Sequence, residues 1–328
     1  MKFHFASRTI AGFAAAAALA VAATTAVAQD GPVRILVGFP AGGSLDAVAR
    51  SLALSMQQEL GKTFVVDNRP GAGGQIAAQA LKAAKPDGMT MFMTNSHTVS
   101  MIPLTVINPG FDTVHDFAPV GMVAVSPDVF AVNPGAIGNT GGGLKEFAQW
   151  AKANPGKGNV GVPAPASAPD FAVGLVSSAL GSDLKSVPYR GDGPVALDLV
   201  GGQIPAGIGS VGVMLQHAKA GKIRIVAVNG TSRIPVLPDV PTYAELGVKG
   251  YEEVIFTAIF VPAGTPANLI QSYNAALTKI VKSAEFTEKL SALGIVAVSS
   301  TPAELAARVA ATNQAWTVMV KNAGYKPQ

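Results

Sequence analysis

The chain alternates short apolar runs with longer amphipathic ones. Ile35 to Phe39 reads as a buried strand, and Ser44 to Leu60 as a helix with Leu45, Val48, Leu52, Met56 and Leu60 on one face and Gly61 as its stop. Phe64 to Val66 is a second strand, Gly74 to Ala84 a second helix and Thr90 to Met93 a third strand. These strands are apolar throughout rather than alternately, as in sheets buried on both faces, so a parallel sheet covered by helices is expected.

A second block repeats the plan. Val129 to Val132 is a strand, and Leu144 to Lys152 a helix with Leu144, Phe147, Ala148 and Ala151 turned inward. Val160 to Val162 leads through a Pro/Ala/Ser loop into a helix starting near Ala168. Further strands are Ser186 to Tyr189, Ile204 to Ile208 and Ile223 to Val228, with helices from Val195 and Val211 between them. Beyond the Pro-rich Leu237 to Pro241 come a strand at Val254 to Val261, a long helix from Pro266, a strand at Ile295 to Val298 and a last helix from Thr301 to Asn322. The fold class is α/β, in two lobes joined by crossing strands. Open parallel sheets bind ligands outside the carboxyl ends of their strands. The loops after Phe39 and after Val162 lie at such ends and can face each other across a cleft.

The first 28 residues read as a secretory signal: Lys2 and Arg8 at the start, an apolar Ile10 to Val21, and an Ala26-Val27-Ala28 cleavage site. That apolar segment is short for a membrane span of ~20 residues, so an exported chain is expected instead of a membrane-anchored one. The chain has 24 basic and 20 acidic residues. Removing Lys2 and Arg8 leaves a net charge of only +2, with no clustered basic patch of the kind nucleic acid requires. There is no Cys, so neither a disulfide framework nor thiolate chemistry is available.

Candidate chemistry centres on the strand–turn–helix Phe39-Pro40-Ala41-Gly42-Gly43-Ser44-Leu45-Asp46. Ser44 suits an N-cap and Asp46 the first helical turn, while free N–H groups of Gly42, Gly43 and Ser44 make a cradle for an anion. The turn lacks the Lys of a P-loop, so a carboxylate fits better than a nucleotide phosphate. In Asn68-Arg69-Pro70-Gly71-Ala72-Gly73-Gly74 the glycine spacing fails the dinucleotide fingerprint, which leaves a structural turn that Arg69 can brace against a carboxylate. Ala166, Ser167 and Ala168 open a second-block helix, with Pro169 suited to its first turn, and two such helix ends can grip one carboxylate. Asn95, Ser96 and His97 end a strand, and Tyr189 with Arg190 ends another within reach of a ligand's far end. Gly207-Ile208-Gly209-Ser210-Val211-Gly212 is one residue out of step with a nucleophile elbow. No metal-ligand spacing and no acid–base pair stands out, so no cofactor and no enzymatic activity are expected.

These blocks resemble the Bug-type (tripartite tricarboxylate transporter) extracytoplasmic solute receptors. The likeness runs through Phe39 to Asp46, Asp67 to Gly74, Pro86-Asp87-Gly88, Asp116 to Val120, Ser167-Ala168-Pro169, Val187 to Gly191, Gly201-Gly202-Gln203, Leu237 to Thr242 and Pro262 to Pro266. It implies a type II periplasmic-binding-protein fold with lobe 1 at 29–126 plus 255–328 and lobe 2 at 127–254. It also implies a monomeric receptor that closes on a small organic acid and passes it to a permease with large and small integral-membrane subunits. A ligand sensor for a membrane signalling partner is the alternative, and an enzyme on the same fold a more distant one. The ligand-binding positions implied are Pro40 to Ser44 and Ala166 to Ala168; together with those read from the residues themselves, the candidates are Phe39 to Ser44, Asn95, Ser96, His97, Ala166 to Ala168, Tyr189 and Gly209. Two segments depart from the family pattern: Asp170 stands where His is frequent, and Pro205 to Ser210 lacks the two acids common in that strand. A carboxylate without an amino group is therefore expected as ligand.

Overall fold

The computed structural model describes residues 31–138 and 142–328. The signal read at residues 1–28 lies outside them. Two sheets organise the chain. The first contains six strands in the order β11-β4-β10-β3-β1-β2: β1 (Val33–Val37), β2 (Phe64–Asn68), β3 (Thr90–Asn95), β4 (Phe117–Ser126), β10 (Ile255–Pro262) and β11 (Val296–Ala297). The second runs β7-β6-β8-β5-β9: β5 (Asp128–Val132), β6 (Asn159–Val162), β7 (Lys185–Pro188), β8 (Ala206–Ser210) and β9 (Arg224–Val228). Around them lie α1 (Ser44–Leu60), α2 (Gln75–Lys82), α3 (Leu144–Ala153), α4 (Ala168–Leu180), α5 (Asp192–Val200), α6 (Val211–Lys219), α7 (Ala267–Val281), α8 (Ala284–Ala292) and α9 (Pro302–Asn322). None of the described helices is long and apolar enough to cross a membrane.

The strands are buried on both faces because alternate residues feed different cores. In β1, Val33, Ile35 and Val37 join one cluster with Val48, Leu52 and Met56 of α1, while Leu36 joins another with Phe92 and Leu81. In β5, Phe130 and Val132 pack with Phe147, while Val129 and Ala131 pack with Met214. The helical faces expected of α1 and α3 are the buried ones, and Gly61 ends α1 in the left-handed conformation (φ 64°).

The sheets are mixed, not parallel. β1 pairs parallel with β2 and β3, and β6 parallel with β7 and β8, but β10 runs antiparallel to β3 and β4, and β5 antiparallel to β8 and β9. The reason is connectivity. A chain that leaves a sheet and later re-enters it brings in a strand whose direction is set by the crossing rather than by a helical return. β4, which the pattern did not single out because Pro119 and Gly121 break its apolar run, passes directly through Pro127 into β5. β9 returns through residues 229–254 to β10. The two crossings are tied together: the Asp128 N–H donates to Asn229 Oδ1 at 2.7 Å, and Asn229 Nδ2 donates to Glu253 O at 3.1 Å.

α9 spans both halves. Leu305 and Val309 lie in a core of the first sheet, whereas Trp316, Met319 and Val320 join the core around β5, β6 and β8. Before α2 the backbone takes four successive positive φ values, at Gly71, Ala72, Gly73 and Gly74. At Gly74 (φ 98°) a Cβ would lie 2.4 Å from Thr98 Oγ1, and one on Gly38 would lie 2.6 Å from the Gly74 Cα. Close approach of two backbones explains this glycine-rich turn.

Candidate functional site

A cavity of about 440 Å³ lies where the two sheets meet, a volume typical of small-molecule sites. Phe39, Pro40, Ala41, Gly42, Gly43 and Ser44 line it from the β1–α1 loop, and Asn95 and His97 from the end of β3. Pro163, Ala164, Ser167, Ala168 and Pro169 line it from the β6–α4 loop. The crossing strands contribute Ser126, Asp128, Ile255 and Thr257.

The two loops share one construction. Gly42 (φ 83°) and Ala166 (φ 50°) both take positive φ just before the N-cap residue of the helix. The Gly42 N–H donates to Asp46 Oδ2 at 2.9 Å, and the Ala166 N–H to Asp170 Oδ2 at 2.7 Å. Each helix therefore turns the carboxylate of its third residue back onto its own loop. The N-cap of α1 is Gly43, without a side-chain cap, rather than Ser44. Ser167 caps α4, its Oγ accepting from the Asp170 N–H at 3.3 Å.

This construction decides which donors remain. The Gly42 N–H is taken, and that of Gly43 reaches Pro40 O at 3.4 Å. The N–H groups of Ser44, Leu45 and Asp46 in α1, and of Ser167 and Ala168 at α4, have no acceptor among the described residues. Two helix N-termini thus aim unpartnered donors and positive dipole ends at one cavity. Asn68 braces the first loop, donating to Phe39 O at 3.2 Å and to Asp46 Oδ1 at 2.9 Å, while Arg50 pairs with Asp46 at 2.9 Å. Burial works to raise the Asp46 carboxyl, but hydrogen bonds from Arg50, Gly42 and Asn68 outweigh it and hold it below its usual value. Arg69 pairs with Asp67 at 2.9 Å.

Ser96, Ala166, Tyr189 and Gly209 are the candidate residues that do not line the cavity. Ser96 is fully buried behind Asn95 and His97. The Tyr189 hydroxyl donates to Asp198 at 2.7 Å, which accounts for that side chain, whereas its neighbour Arg190 does line the cavity and has no ion-pair partner among the described residues. Gly209 makes room: a Cβ there would lie 2.8 Å from Asp192 Oδ1.

Among the lining residues that escaped the sequence reading, Asp128, Asp192 and Trp316 carry the chemistry. Asp128 is a lone acid in an otherwise apolar stretch, from β4 through β5, and Asp192 follows Gly191 at the start of α5; neither position forms a motif. Asp128 accepts from the Tyr251 hydroxyl at 2.8 Å; Asp192 accepts from Ser210 Oγ at 2.9 Å and from the Ser210 N–H at 3.3 Å. Burial and then the neighbouring Asp192 push the Asp128 carboxyl up to about 7, against the Tyr251 hydrogen bond. Burial raises Asp192 too, opposed by the Ser210 bonds. The acids missing from Pro205 to Ser210 are thus matched by two from elsewhere, so the cavity has carboxyl groups that can face a ligand amine. Burial also lowers His97 to about 4, so its ring is neutral at physiological pH.

Comparison with known proteins agrees with this architecture. Residues 48–325 match the family model described as "Tripartite tricarboxylate transporter family receptor". Protein BugT of Bordetella pertussis is 30% identical over 315 residues, 96% of either chain. The R. palustris protein Rpa4515, solved with adipate, has a TM-score of 0.84 at 29% identity, covering 90% of this chain and 98% of its own. MatC from Rhodopseudomonas palustris, solved with bound malate, has a TM-score of 0.79 at 27% identity, covering 88% of this chain and 98% of its own. Two α/β lobes, crossing strands and a cleft between facing loops are the type II periplasmic-binding-protein arrangement, and the chain belongs to the tripartite tricarboxylate transporter receptor family.

Proposed function

We propose that the chain is a periplasmic receptor that captures a small organic carboxylate by hinge closure and delivers it to a membrane permease with a large and a small subunit. The observation that carries this is the pair of facing helix N-termini, with unpartnered N–H groups at Ser44, Leu45, Ser167 and Ala168 around one cavity of about 440 Å³. Such donors hold a carboxylate without a buried cation and add the attraction of two dipoles. Relatives solved with adipate and with malate support the same ligand class.

The lobes in this reading are 29–126 with 255–328, and 127–254, with α9 carrying side chains into the cores of both sheets. The hinge is the tie of Asp128, Asn229 and Glu253, where the crossing strands meet. Export by the segment at residues 1–28 and action as a monomer complete the reading. In this reading it acts as a binding protein, as the receptor family it belongs to does.

Thermal unfolding of the purified protein against mono-, di- and tricarboxylates, aromatic acids and amino acids tests this. An acid at ~100 times its dissociation constant stabilises by about 2.7 kcal/mol, roughly 4 °C or more at this size. Gly43→Val separates site from fold. Gly43 has an extended backbone (φ −78°, ψ 170°), and a Cβ there meets only Pro40 O, at 3.4 Å. The variant is expected to melt with the wild type while losing at least ~10-fold in affinity for that acid. Unchanged affinity removes the β1–α1 loop from the site.

A further inference from the structure

Besides its two anion-seeking helix ends, the cavity has an acidic wall. Asp128, 2% exposed, and Asp192 both line it. They come from different elements, the start of β5 and the start of α5, and their charges are close enough for Asp192 to raise the Asp128 carboxyl. Asp192 is satisfied by Ser210, and Asp128 Oδ2 by Tyr251, but Asp128 Oδ1 has no hydrogen-bond partner among the described residues. Among the described residues no Lys or Arg pairs with either acid; Arg190 lines the cavity as an exposed side chain.

A second observation is independent of the acids. Trp316 of α9, fully buried, and His97, 8% exposed, line the same cavity, and Trp316 Nε1 and His97 Nδ1 have no partner among the described residues. Buried polar groups left unpaired by the protein itself mark a place completed by something else. Trp316 and Phe39 add two aromatic rings to the lining, the surroundings in which a cationic nitrogen is favoured.

We propose that the cleft selects a ligand carrying a protonated nitrogen in addition to its carboxylate, with the nitrogen seated against Asp128 and Asp192 and the carboxylate at the N-termini of α1 and α4. This rests on the carboxylate reading of the cleft. A purely anionic ligand long enough to reach β5 brings a second negative group to two buried acids, which is repulsive at short range and weakly screened. An ammonium group there gains charge-assisted hydrogen bonds and relieves the repulsion between the acids. The affinity difference between an amino acid and its deaminated counterpart is therefore the signature, and the raised Asp128 carboxyl means that an ammonium competes with a proton at neutral pH.

Calorimetric titration with matched series tests this: aspartate, malate and succinate; glutamate, 2-hydroxyglutarate and glutarate; 4-aminobutyrate, 4-hydroxybutyrate and butyrate. In at least one series the amino member is expected to bind ~10-fold or more tightly than both counterparts. Asp128→Asn, confirmed folded by its melting curve, is expected to erase that preference while leaving the hydroxy and deaminated members at wild-type affinity or tighter. Asp192→Asn, which keeps an oxygen for Ser210, acts in the same direction. If hydroxy or deaminated members bind as tightly as the amino members in every series, the inference is overturned and the carboxylate reading stands. If no member of any series binds, both fall.

Discussion

Asp128→Asn raises the melting temperature of the protein at pH 8 and leaves it unchanged near pH 4. The carboxyl is 2% exposed, and burial, followed by Asp192, lifts it from 3.8 to about 7 in the folded protein. A folded-state value above the unfolded one means that the folded chain holds the proton more tightly. Below pH 4 both states are protonated and nothing is lost. Between pH 4 and 7 the unfolded chain ionises while the folded one does not, so stability falls as pH rises. Above pH 7 the full difference applies, roughly 4 kcal/mol for a shift from 3.8 to about 7. Asparagine has the shape of the protonated acid, keeps an oxygen for the Tyr251 hydroxyl and cannot ionise. At pH 8 the variant is expected to melt roughly 5 °C or more above wild type. A variant less stable than wild type at pH 8 would show that the ionised carboxylate is well satisfied in the fold and would remove the acidic wall as a destabilised, ligand-seeking feature.

Trp316→Ala is expected to be the most destabilising change in the cleft. The indole is fully buried in the core around β5, β6 and β8, carried there by a helix whose other end sits in the core of the first sheet through Leu305 and Val309. Truncating a buried Trp costs about 3–5 kcal/mol in lost transfer energy and residual cavity, which lowers the melting temperature by roughly 5–10 °C at this size. Because the same ring forms part of the cleft wall, ligand affinity falls as well. Trp316→Phe separates the two roles. It retains most of the apolar contact and removes a ring N–H that has no partner among the described residues, so stability is expected to stay close to wild type while affinity for the best-binding acid drops. Melting curves and titrations on both variants check this; an Ala variant that melts with wild type would mean that α9 does not tie the lobes together.

The parts of this molecule set by local chemistry could be read in the sequence. The inward faces of α1 and α3 follow from helical spacing, and the stop at Gly61 from its left-handed backbone. The two candidate loops could be placed because strand, glycine or proline turn and helix start are consecutive in the chain. What could not be read depends on residues far apart. The antiparallel pairing of β10 arises when it re-enters a sheet more than a hundred residues after β4, and that of β5 from its direct entry out of β4. Asp128, Asp192 and Tyr251 meet through the crossings, and no spacing in the chain announces them. The donors at α1 also shifted by a residue or two, because Asp46 folds back onto the Gly42 N–H, a choice between local hydrogen bonds that the sequence leaves open.

The central claim is that unpartnered N–H groups at two helix ends hold a carboxylate. The measurement that tests it most directly is calorimetric titration of the acid giving the largest thermal shift, against the primary amide of the same acid. Hydrogen bonds to a charged acceptor contribute about 1.5–3 kcal/mol each, against about 1 kcal/mol for neutral ones. With several such donors at Ser44, Leu45, Ser167 and Ala168, the amide is expected to bind at least ~100-fold more weakly. Equal affinity of acid and amide would contradict the account.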